Sequence, residues 1–417
     1  MVVISNGFGR FHMSWAAEEA HRRGILDAYI TGAYPTSAAK RLLTAAGLSG
    51  NRRVARLLAR QGTYPEGLIS ASFLPEALMQ VAVALRQKHK AFKTPTDLIN
   101  RAALRGYGAS AARVLGGLKG TPRLYHYRAG FGGASVARAK EKGMIALCDH
   151  SIAHPALLDH FVGHQGAWPE KGEGGRIDLL WAHILEDIGR GDHVLVNSDF
   201  VKETFLHFGW DETRLHVIYL GVDNDFVAGM PKSPATTEGG SDAPLLVFAG
   251  NFGTRKGADI LARALQPITD LPWRLELIGP IESATRRRHR TFLEDARVGA
   301  LGVVARERLA ASLVAADIFV FPSFAEGSAR VLFEAMAAGC YIITTNNSGC
   351  IAEDGVHGAI VPPGDAAATG AAIRAALQNP QKTSEIGAKN AELVANQYTQ
   401  ADYGDKLADL YRRLAGS

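Results

Sequence analysis

Short apolar runs alternate with amphipathic stretches along the whole chain. In the first half, "MVVIS" at 1–5, "RLYHY" at 123–127, "MIALCDHS" at 144–151 and "HVLVNS" at 193–198 are each followed by a turn or a helix-like stretch. The strands and crossover helices of a parallel sheet produce this alternation. We therefore predict a doubly wound α/β layer in this half of the chain.

A second set of buried-strand candidates follows residue 215. Five apolar runs precede helical stretches there: "LLVFAG" (245–250), "WRLELIG" (273–279), "IFVFPS" (318–323), "YIITT" (341–345) and "GAIVPP" (358–363). The polar stretch 231–244, rich in Pro, Gly, Ser and Thr, predicts a loop near the start of this set. The pattern predicts an α/β protein of two Rossmann-like, doubly wound domains, which face each other across a cleft at the carboxyl ends of their strands.

The length of 417 residues also favours two domains. We place the first at residues 1–215 and the second at residues 216–385. Amphipathic helices at 386–417 follow, and these can pack back on the first domain.

Composition is that of an ordinary globular protein, with 47% hydrophobic and 21% charged residues. The three cysteines are too scattered for a disulfide framework or a metal cluster, which favours a reducing compartment. No apolar run of 18 residues predicts a transmembrane helix, and the chain enters its first strand without a leader-like segment. We therefore expect a cytoplasmic protein.

Basic residues are concentrated in one part of the chain. Between Thr36 and Lys140 there are 18 Lys and Arg residues and only three acidic ones. Such a block attracts an anionic membrane face, a pyrophosphate-bearing substrate or a nucleic acid, although it can also be a merely solvated surface. Residues 38–60 predict two short basic amphipathic helices, interrupted by Gly47 and Gly50. They suit a membrane surface, and packing of their leucines into the core is an equal alternative.

The segment "FAGNFGTRKGADIL" (248–261) combines a strand, a glycine-containing loop, two cations and a helix. Backbone N–H groups at the helix start, together with Arg255 and Lys256, would hold a diphosphate. Asn251 and Gly253 belong to the same candidate loop. No Ser or Thr follows the Lys as in a P-loop, and the spacing is not GxGxxG, so the motif supports neither a Walker-type NTPase nor a nicotinamide site.

The segment "AEGSARVLFEAMAAG" (325–339) places two glutamates around a strand-to-helix turn. Glu326 in the loop can accept hydrogen bonds from hydroxyls, and Glu334 in the helix can bind a vicinal diol such as a ribose. The helix start between them favours phosphate, and Ser328 is expected to cap it. For Glu334, a surface ion pair with Arg330 at i, i+4 is the alternative.

This segment resembles the E-x7-E signature of retaining GT-B glycosyltransferases, especially family 4, the glycosyl transferases group 1. The passages 196–223, 250–257, 316–327 and 357–365 resemble other motifs of that family in the same order, and the resemblance covers about residues 190–415. One departure is Asn251, which stands where the family usually has Arg, and Arg255 can supply the missing charge.

The resemblance implies which residues form the site. The first domain would bind the acceptor and the second the nucleotide sugar, with the sugar at Glu326 and the residues after it, and the ribose at Glu334. His150, at a strand end where the family often keeps a histidine, is the catalytic candidate beside Glu326. The implied contacts are, for the donor sugar, Gly327, Ser328 and Ala329; for the diphosphate, Arg255, Lys256, Gly253, Asn251 and Gly9; and for acceptor or phosphate, Arg10, His12, His126, Arg128 and His154.

The resemblance also implies a reaction. A sugar would move from a UDP- or GDP-linked donor, with retention, to a lipid-linked, polysaccharide or lipopolysaccharide acceptor in cell-envelope glycan synthesis. No metal or other cofactor and no nucleic-acid partner are expected, and the protein would associate peripherally with the inner face of the cytoplasmic membrane. A GT-B sugar-nucleotide epimerase, a phosphorylase and a non-enzymatic glycan-binding module are the alternatives.

Overall fold

Two parallel β-sheets, one from each half of the chain, organise the molecule. The computed structural model describes residues 1–9, 12–47, 50–88, 93–223, 225–226 and 243–416. The strands of the first sheet are β1 (Val2–Gly7), β2 (Leu26–Thr31), β3 (Ile69–Ala71), β4 (Leu124–Arg128), β5 (Ile145–His150), β6 (His193–Val196) and β7 (Leu215–Val217). Those of the second are β8 (Leu245–Ala249), β9 (Arg274–Ile278), β10 (Val298–Gly302), β11 (Ile318–Phe321), β12 (Tyr341–Thr344) and β13 (Gly358–Ile360).

Both sheets have the strand order of a doubly wound fold. In the described residues the first runs β3-β2-β1-β4-β5-β6-β7 and the second β10-β9-β8-β11-β12-β13, with all neighbours parallel. The order reverses beside β1 and beside β8, and ligands of such sheets bind at the carboxyl ends of the strands next to this reversal. The predicted fold class is confirmed.

Helices cover the faces of both sheets. Those of the first half are α1 (Met13–Arg22), α2 (Ser37–Ala45), α3 (Arg52–Leu58), α4 (Phe73–Lys88), α5 (Lys93–Gly117), α6 (Ala134–Glu141), α7 (Pro155–Gly163), α8 (Leu179–Arg190) and α9 (Asp199–Leu206). Those of the second half are α10 (Ala258–Leu265), α11 (Ser283–Arg288), α12 (Arg290–Leu293), α13 (Arg306–Ala315), α14 (Arg330–Ala337), α15 (Ala366–Gln378), α16 (Pro380–Gln397) and α17 (Gln400–Gly416).

The strongest apolar runs became the central strands. Each run singled out in the sequence contains a strand, and β1, β8 and β11 are buried along their whole length. Strands covered on both faces read as continuous apolar runs, which is why they can be recognised. The sequence reading missed β2, β3 and β10, of which β3 is only three residues long and β10 is exposed in part.

The chain crosses between the domains twice, at neighbouring points. Val222, after the first domain, forms a parallel bridge with Thr399, which lies between α16 and α17. The predicted boundary after residue 215 falls inside β7, and that after residue 385 falls inside α16. Helix α16 packs on α14 and β12 of the second domain, whereas α17 packs on α1 and β4 of the first.

Two expectations about the basic region can be compared with the fold. Residues 38–60 contain two separate helices, α2 and α3, and α2 buries none of its residues, so its leucines do not pack into a core. No helix in the described part of the chain is long and apolar enough to cross a membrane. Residues 231–242 of the predicted loop lie outside the described residues.

Candidate active site

A cavity of about 520 Å³ opens at the carboxyl ends of the second sheet. Loops after β8, β9, β10 and β11 form its walls, together with the first turns of α13 and α14. It brings together the following residues predicted for the site: Lys256, Glu326, Ser328, Ala329 and Glu334. The two halves of the predicted donor site, the cationic loop and the glutamate pair, therefore share one cavity.

Glu326 lies in the turn after β11 and holds both cations. Its Oε1 is 2.8 Å from Arg255 Nη1 and 3.1 Å from Lys256 Nζ. The Ser323 hydroxyl donates to the same oxygen at 3.0 Å. Only 9% of Glu326 is exposed, so these charge-assisted contacts are formed away from bulk water and fix the carboxylate.

The two cations sit where α10 begins. Gly257 precedes the helix with φ of +72°, and a Cβ there would collide with the Pro322 carbonyl oxygen, so the tight approach of loop to strand requires glycine. Arg255 Nη1 donates to the Ala325 carbonyl at 2.5 Å, and Lys256 Nζ lies 4.6 Å from the ring centre of Phe321. Both positive charges are thereby directed at the turn that carries Glu326.

Asn251 and Gly253 are not among the residues that line the cavity. The Asn251 amide donates to Glu282 Oε1 at 2.8 Å, and Glu282 Oε2 accepts from the Thr254 backbone at 3.4 Å. Gly253 leaves room for that carboxylate, since a Cβ would overlap it. These residues shape the loop through Glu282, and their placement does not support the predicted contact of Asn251 with a diphosphate.

The turn at 326–329 is pressed against the first domain. A Cβ on Gly327 would collide with the Ser151 carbonyl oxygen, and Ser198 Oγ donates to the Gly327 carbonyl at 2.5 Å. Helix α14 begins at Arg330 without a side-chain cap, so the expected capping by Ser328 is wrong. The Ser328 hydroxyl is buried, lines the cavity and has no hydrogen-bond partner in the described residues.

Glu334 lies one turn inside α14, where it lines the cavity and pairs with Arg330. Its Oε1 is 3.3 Å from Arg330 Nε, but the residue is only 8% exposed and lines the cavity, so the ion pair is not a surface pair. Burial raises the pKa of Glu334 above its ordinary 4.5, and the charges of Arg330 and Arg306 act against this rise. The sequence reading missed Arg306, which joins the site from α13.

His150 ends β5, one residue before the Ser151 that contacts Gly327. It is 5% exposed, and its ring packs edge-on against Phe205. Burial lowers its pKa to about 4, so the imidazole is neutral at pH 7. Its Nε2 is buried without a hydrogen-bond partner in the described residues. A neutral imidazole with one unused nitrogen therefore lies close to the turn at 326–329.

Three residues predicted to contact the acceptor, His12, His126 and Arg128, surround Asp149. His12 Nε2 is 2.7 Å and His126 Nε2 is 3.4 Å from its carboxylate oxygens. Burial alone would raise the pKa of Asp149, but the two histidines hold it well below its usual range. Burial lowers the pKa of Arg128 to about 10, and Asp149 opposes this shift. The sequence reading overlooked Asp149, although it directly precedes His150.

His126 and His154 are placed as structural residues. His126 has no exposed surface, and its Nδ1 is 2.6 Å from the Tyr411 hydroxyl of α17. His154 packs on Phe208, and its Nδ1 accepts the Ala156 N–H at the start of α7. Burial lowers the pKa of His154 to about 3. Neither placement supports the predicted acceptor contact. The sequence shows that a histidine lies in or near a strand, but it does not show whether other elements of the fold bury that histidine.

The loop after β1 carries the remaining predictions. Gly9 has φ of +78°, with open space where a Cβ would stand, and its carbonyl accepts from Asn6 Nδ2 at 2.8 Å. Arg10 lies outside the described residues. The loop therefore leaves space beside Gly9, without a described cation.

An apolar wall completes the cavity opposite the glutamates. It is formed by Ile278, Pro280, Val303 and Val304, from the loops after β9 and β10. This wall was not foreseen, because β10 was not predicted. The cavity thus offers an apolar slot for a flat ring, carboxylates for hydroxyl groups and cations for phosphate, side by side.

Comparison with known proteins agrees with this chemistry. Residues 243–379 match the family model described as glycosyl transferases group 1. The chain is 29% identical over 210 residues to a D-inositol 3-phosphate glycosyltransferase of Pseudarthrobacter chlorophenolicus, covering 48% of this chain and 49% of that one. It spans about half the length of the curated relatives it matches.

Solved structures resemble the whole chain in fold. Sucrose-phosphate synthase from Thermosynechococcus elongatus has a TM-score of 0.64 at 20% identity, with 100% of both chains covered. Anabaena Alr3699/HepE, solved in complex with UDP, has a TM-score of 0.62 at 15% identity, with 99% of both chains covered. The domain that carries the cavity is therefore similar to the glycosyl transferases group 1 family, in a chain with the GT-B fold.

Proposed function

We propose that this protein is a retaining glycosyltransferase that transfers a sugar from a UDP- or GDP-linked donor to a hydroxyl acceptor. The observation that supports this most is the cavity in which Glu326 meets Arg255 and Lys256 while Glu334 lies on the same wall. The cations would bind the diphosphate of the donor, Glu326 its sugar and Glu334 its ribose. The named glycosyltransferase relatives and the UDP-bound structural neighbour agree with this assignment.

The donor would lie across the cavity from the apolar wall to the turn at 326–329. Its base would rest on Val303 and Val304, and its ribose diol would donate to Glu334. Its diphosphate would take Arg255 and Lys256, which neutralise the charge that grows as the sugar leaves. Glu326, relieved of these two cations by the diphosphate, then accepts hydrogen bonds from the sugar hydroxyls.

The proposed chemistry is a displacement on one face of the sugar. The acceptor oxygen bonds to the anomeric carbon on the side from which the diphosphate departs, and the acceptor proton passes to a leaving phosphate oxygen. The configuration is thereby retained. His150, neutral at pH 7, would hydrogen-bond the donor sugar rather than act as a charged acid. We propose that no metal is required, because two side-chain cations and the start of α10 face the diphosphate.

Two acceptor classes fit different observations. The basic block between Thr36 and Lys140 suits a lipid-linked or polysaccharide acceptor of cell-envelope synthesis at the inner face of a membrane. The relatives named D-inositol 3-phosphate glycosyltransferases favour a small phosphorylated polyol instead. We propose the membrane-linked acceptor, because α4 carries an exposed apolar stripe in the middle of the basic block.

That stripe consists of side chains on one face of α4. Leu74 is 80% exposed and Val81 is 53% exposed. Leu78 and Leu85 are also exposed, and the spacing of three or four residues places all four side chains on the same face of the helix. Arg60, just after α3, forms a 2.7 Å ion pair with Glu76 of α4, so the basic helices and the stripe are held together. An apolar face with a basic surround is typical of helices that lie in a membrane interface.

The test is sugar transfer by the full chain. The protein is incubated with radiolabelled UDP- and GDP-sugars and either membrane extract or inositol phosphate, with and without EDTA. We expect labelled lipid-linked product with retained anomeric configuration by NMR, and no loss of rate with EDTA. Labelled inositol phosphate would identify the other acceptor class, and an isomerised sugar nucleotide would identify an epimerase.

Glu326→Ala is the decisive variant. We expect turnover to fall by about a hundredfold or more, because the sugar loses its preorganised acceptor group, while the fold and nucleotide binding persist. Glu294→Ala is the matched control, since Glu294 lies in the same domain with its side chain 62% exposed and pairs with the exposed Arg290. Turnover by Glu326→Ala equal to that of the control would refute the sugar-site assignment.

A further inference from the structure

A cation–π contact joins the two domains at the edge of the donor cavity. The guanidinium carbon of Arg330, the first residue of α14, lies 4.0 Å from the ring centre of Trp15 in α1. Trp15 belongs to the first domain and is half-buried, whereas Arg330 lines the cavity of the second. Guanidinium groups bind indole faces at this distance. An indole of one domain thus covers a cation that forms part of the other domain's site.

The same guanidinium reaches Glu334. Arg330 Nε lies 3.3 Å from Glu334 Oε1, one helical turn along α14. Arg330 is therefore held between the ring of Trp15 and the carboxylate of Glu334, and these two contacts fix the plane of its guanidinium. A long side chain at the start of a helix otherwise samples several rotamers, so the stack limits where the charge can stand.

The charge on Arg330 matters because Glu334 is buried. Burial favours the neutral carboxyl, Arg330 and Arg306 favour the carboxylate, and Asp223 opposes them from the segment between the domains. Arg306 is itself paired with Asp223 at 2.9 Å, which leaves Arg330 as the cation whose position depends on the first domain.

We propose that Trp15 is a positioning residue for donor binding, which stacks on Arg330 and so keeps the side chain of Glu334 oriented for the donor ribose. This inference rests on the proposed function, in which Glu334 binds the ribose. It adds that the ribose site of the second domain is completed by a side chain of the first. By linkage, a ligand that brings the domains together tightens nucleotide binding, and the nucleotide in turn favours the domain contact.

The contact is not needed to hold the domains together. Ser198 Oγ donates to the Gly327 carbonyl at 2.5 Å, and Asn347 Nδ2 donates to the Gly166 carbonyl at 2.8 Å, both across the domain interface. These bonds remain when Trp15 is replaced. A change at Trp15 should therefore alter the nucleotide site without separating the domains.

The experiment compares variants of the full chain by calorimetric titration with UDP and with GDP and by steady-state kinetics. Trp15→Leu removes the aromatic face and keeps apolar bulk. We expect it to weaken binding of the preferred nucleotide by about fivefold and to raise the donor KM with little change in kcat. Trp15→Phe, which restores a weaker aromatic face, should recover part of the affinity.

The matched control is Trp210→Leu. Trp210 is also half-buried, and Arg214 lies over its ring at 5.7 Å, but both belong to the first domain. We expect its nucleotide affinity to equal that of the wild type. A loss in Trp210→Leu as large as that in Trp15→Leu would overturn the inference, as would an unchanged affinity in Trp15→Leu.

A double-mutant cycle isolates the pathway through Arg330. If Trp15 acts by positioning Arg330, the double variant Trp15→Leu/Arg330→Met binds nucleotide no more weakly than Arg330→Met alone. Additive losses would overturn the inference. Glu334→Gln separates it from the proposed function: if Glu334→Gln binds nucleotide like the wild type, the ribose assignment fails, whereas a loss in Glu334→Gln without one in Trp15→Leu refutes only the positioning by Trp15.

Discussion

The placement of individual residues of the candidate site was predictable where chain position alone fixes the environment. Glu326 follows a fully buried strand, and Glu334 follows at helical spacing, so both had to reach the carboxyl edge of the sheet. Burial was not predictable in the same way. His126 lies within β4 and His154 follows β5, yet the first is covered by Tyr411 from the far end of the chain and the second by Phe208.

Glu334 gives the site a pH dependence. Because burial raises its pKa above 4.5, the carboxylate takes up a proton at a higher pH than an exposed glutamate does. A protonated Glu334 cannot accept both hydrogen bonds of a ribose diol. We therefore expect nucleotide affinity, measured by titration between pH 8 and pH 5, to fall on the acidic side. The effect on stability has the opposite sign. Because the pKa of Glu334 is higher in the folded state than in the unfolded state, this group should increase the free energy of unfolding as the pH falls.

Glu334→Gln should remove that pH dependence. The amide keeps one acceptor oxygen and no titration, so its nucleotide affinity is expected to be lower than that of the wild type at pH 8 and flat toward pH 5. Glu294→Gln, an exposed glutamate of the same domain, serves as the control. A wild-type affinity that is constant over this range would contradict the prediction.

At the scale of elements, the central strands and the turn at 326–329 followed from pattern, and the peripheral elements did not. β10 contains two glycines and is partly exposed, so it lacks the continuous apolar run of a central strand. Its absence from the prediction also hid the apolar wall of the cavity. Helix α4 was also not predicted, and its apolar stripe emerges only from the fold, which leaves these side chains uncovered.

The stripe on α4 predicts membrane binding that depends on this helix. Replacing Leu74 and Val81 together with Gln should weaken sedimentation with vesicles of phosphatidylcholine and phosphatidylglycerol by at least tenfold, because two apolar side chains no longer leave water. Val356→Gln, a half-exposed apolar residue of the second domain, is the control. Equal sedimentation of the double variant and the wild type would refute this surface.

Vesicles of phosphatidylcholine alone test the contribution of the basic block. With 18 basic residues and three acidic ones between Thr36 and Lys140, the wild type should prefer the anionic vesicles, and added salt should reduce that preference. Equal binding to both kinds of vesicle would show that charge contributes nothing.

At the scale of the whole molecule, two domains were foreseeable from length and alternation, but the division between them was not. Helix α16 stays with the second domain and α17 returns to the first, and no change of composition marks the step between them. The residues of α17 that enter the first core lie on one face of the helix: Tyr403, Leu407, Leu410, Tyr411 and Leu414. The prediction that the helices at 386–417 can pack back on the first domain describes the packing of α17, whereas α16 packs on the second domain.

Leu410 tests this arrangement. It is fully buried in the core cluster that also contains Val2 and Ile4 of β1, so Leu410→Ala should lower the free energy of unfolding of the first domain by about 2–4 kcal/mol. Denaturant titration followed by circular dichroism and by hydrogen exchange of β1 measures the loss. Leu42→Ala, at a side chain 72% exposed, should change it by less than about 0.5 kcal/mol. Protection lost in the second sheet instead of β1 would contradict the assignment.

The return of α17 also sets the order in which the molecule can be built during synthesis. The second domain consists of contiguous residues from β8 to α16, so it can close its core as soon as these leave the ribosome. The first domain cannot, because one face of its sheet waits uncovered until residues 400–416 emerge. The half that is translated first is therefore expected to finish last. A nascent chain stalled after α16 has left the ribosome, with residues 400–416 still inside it, should display a folded second domain beside a first domain that chaperones still recognise.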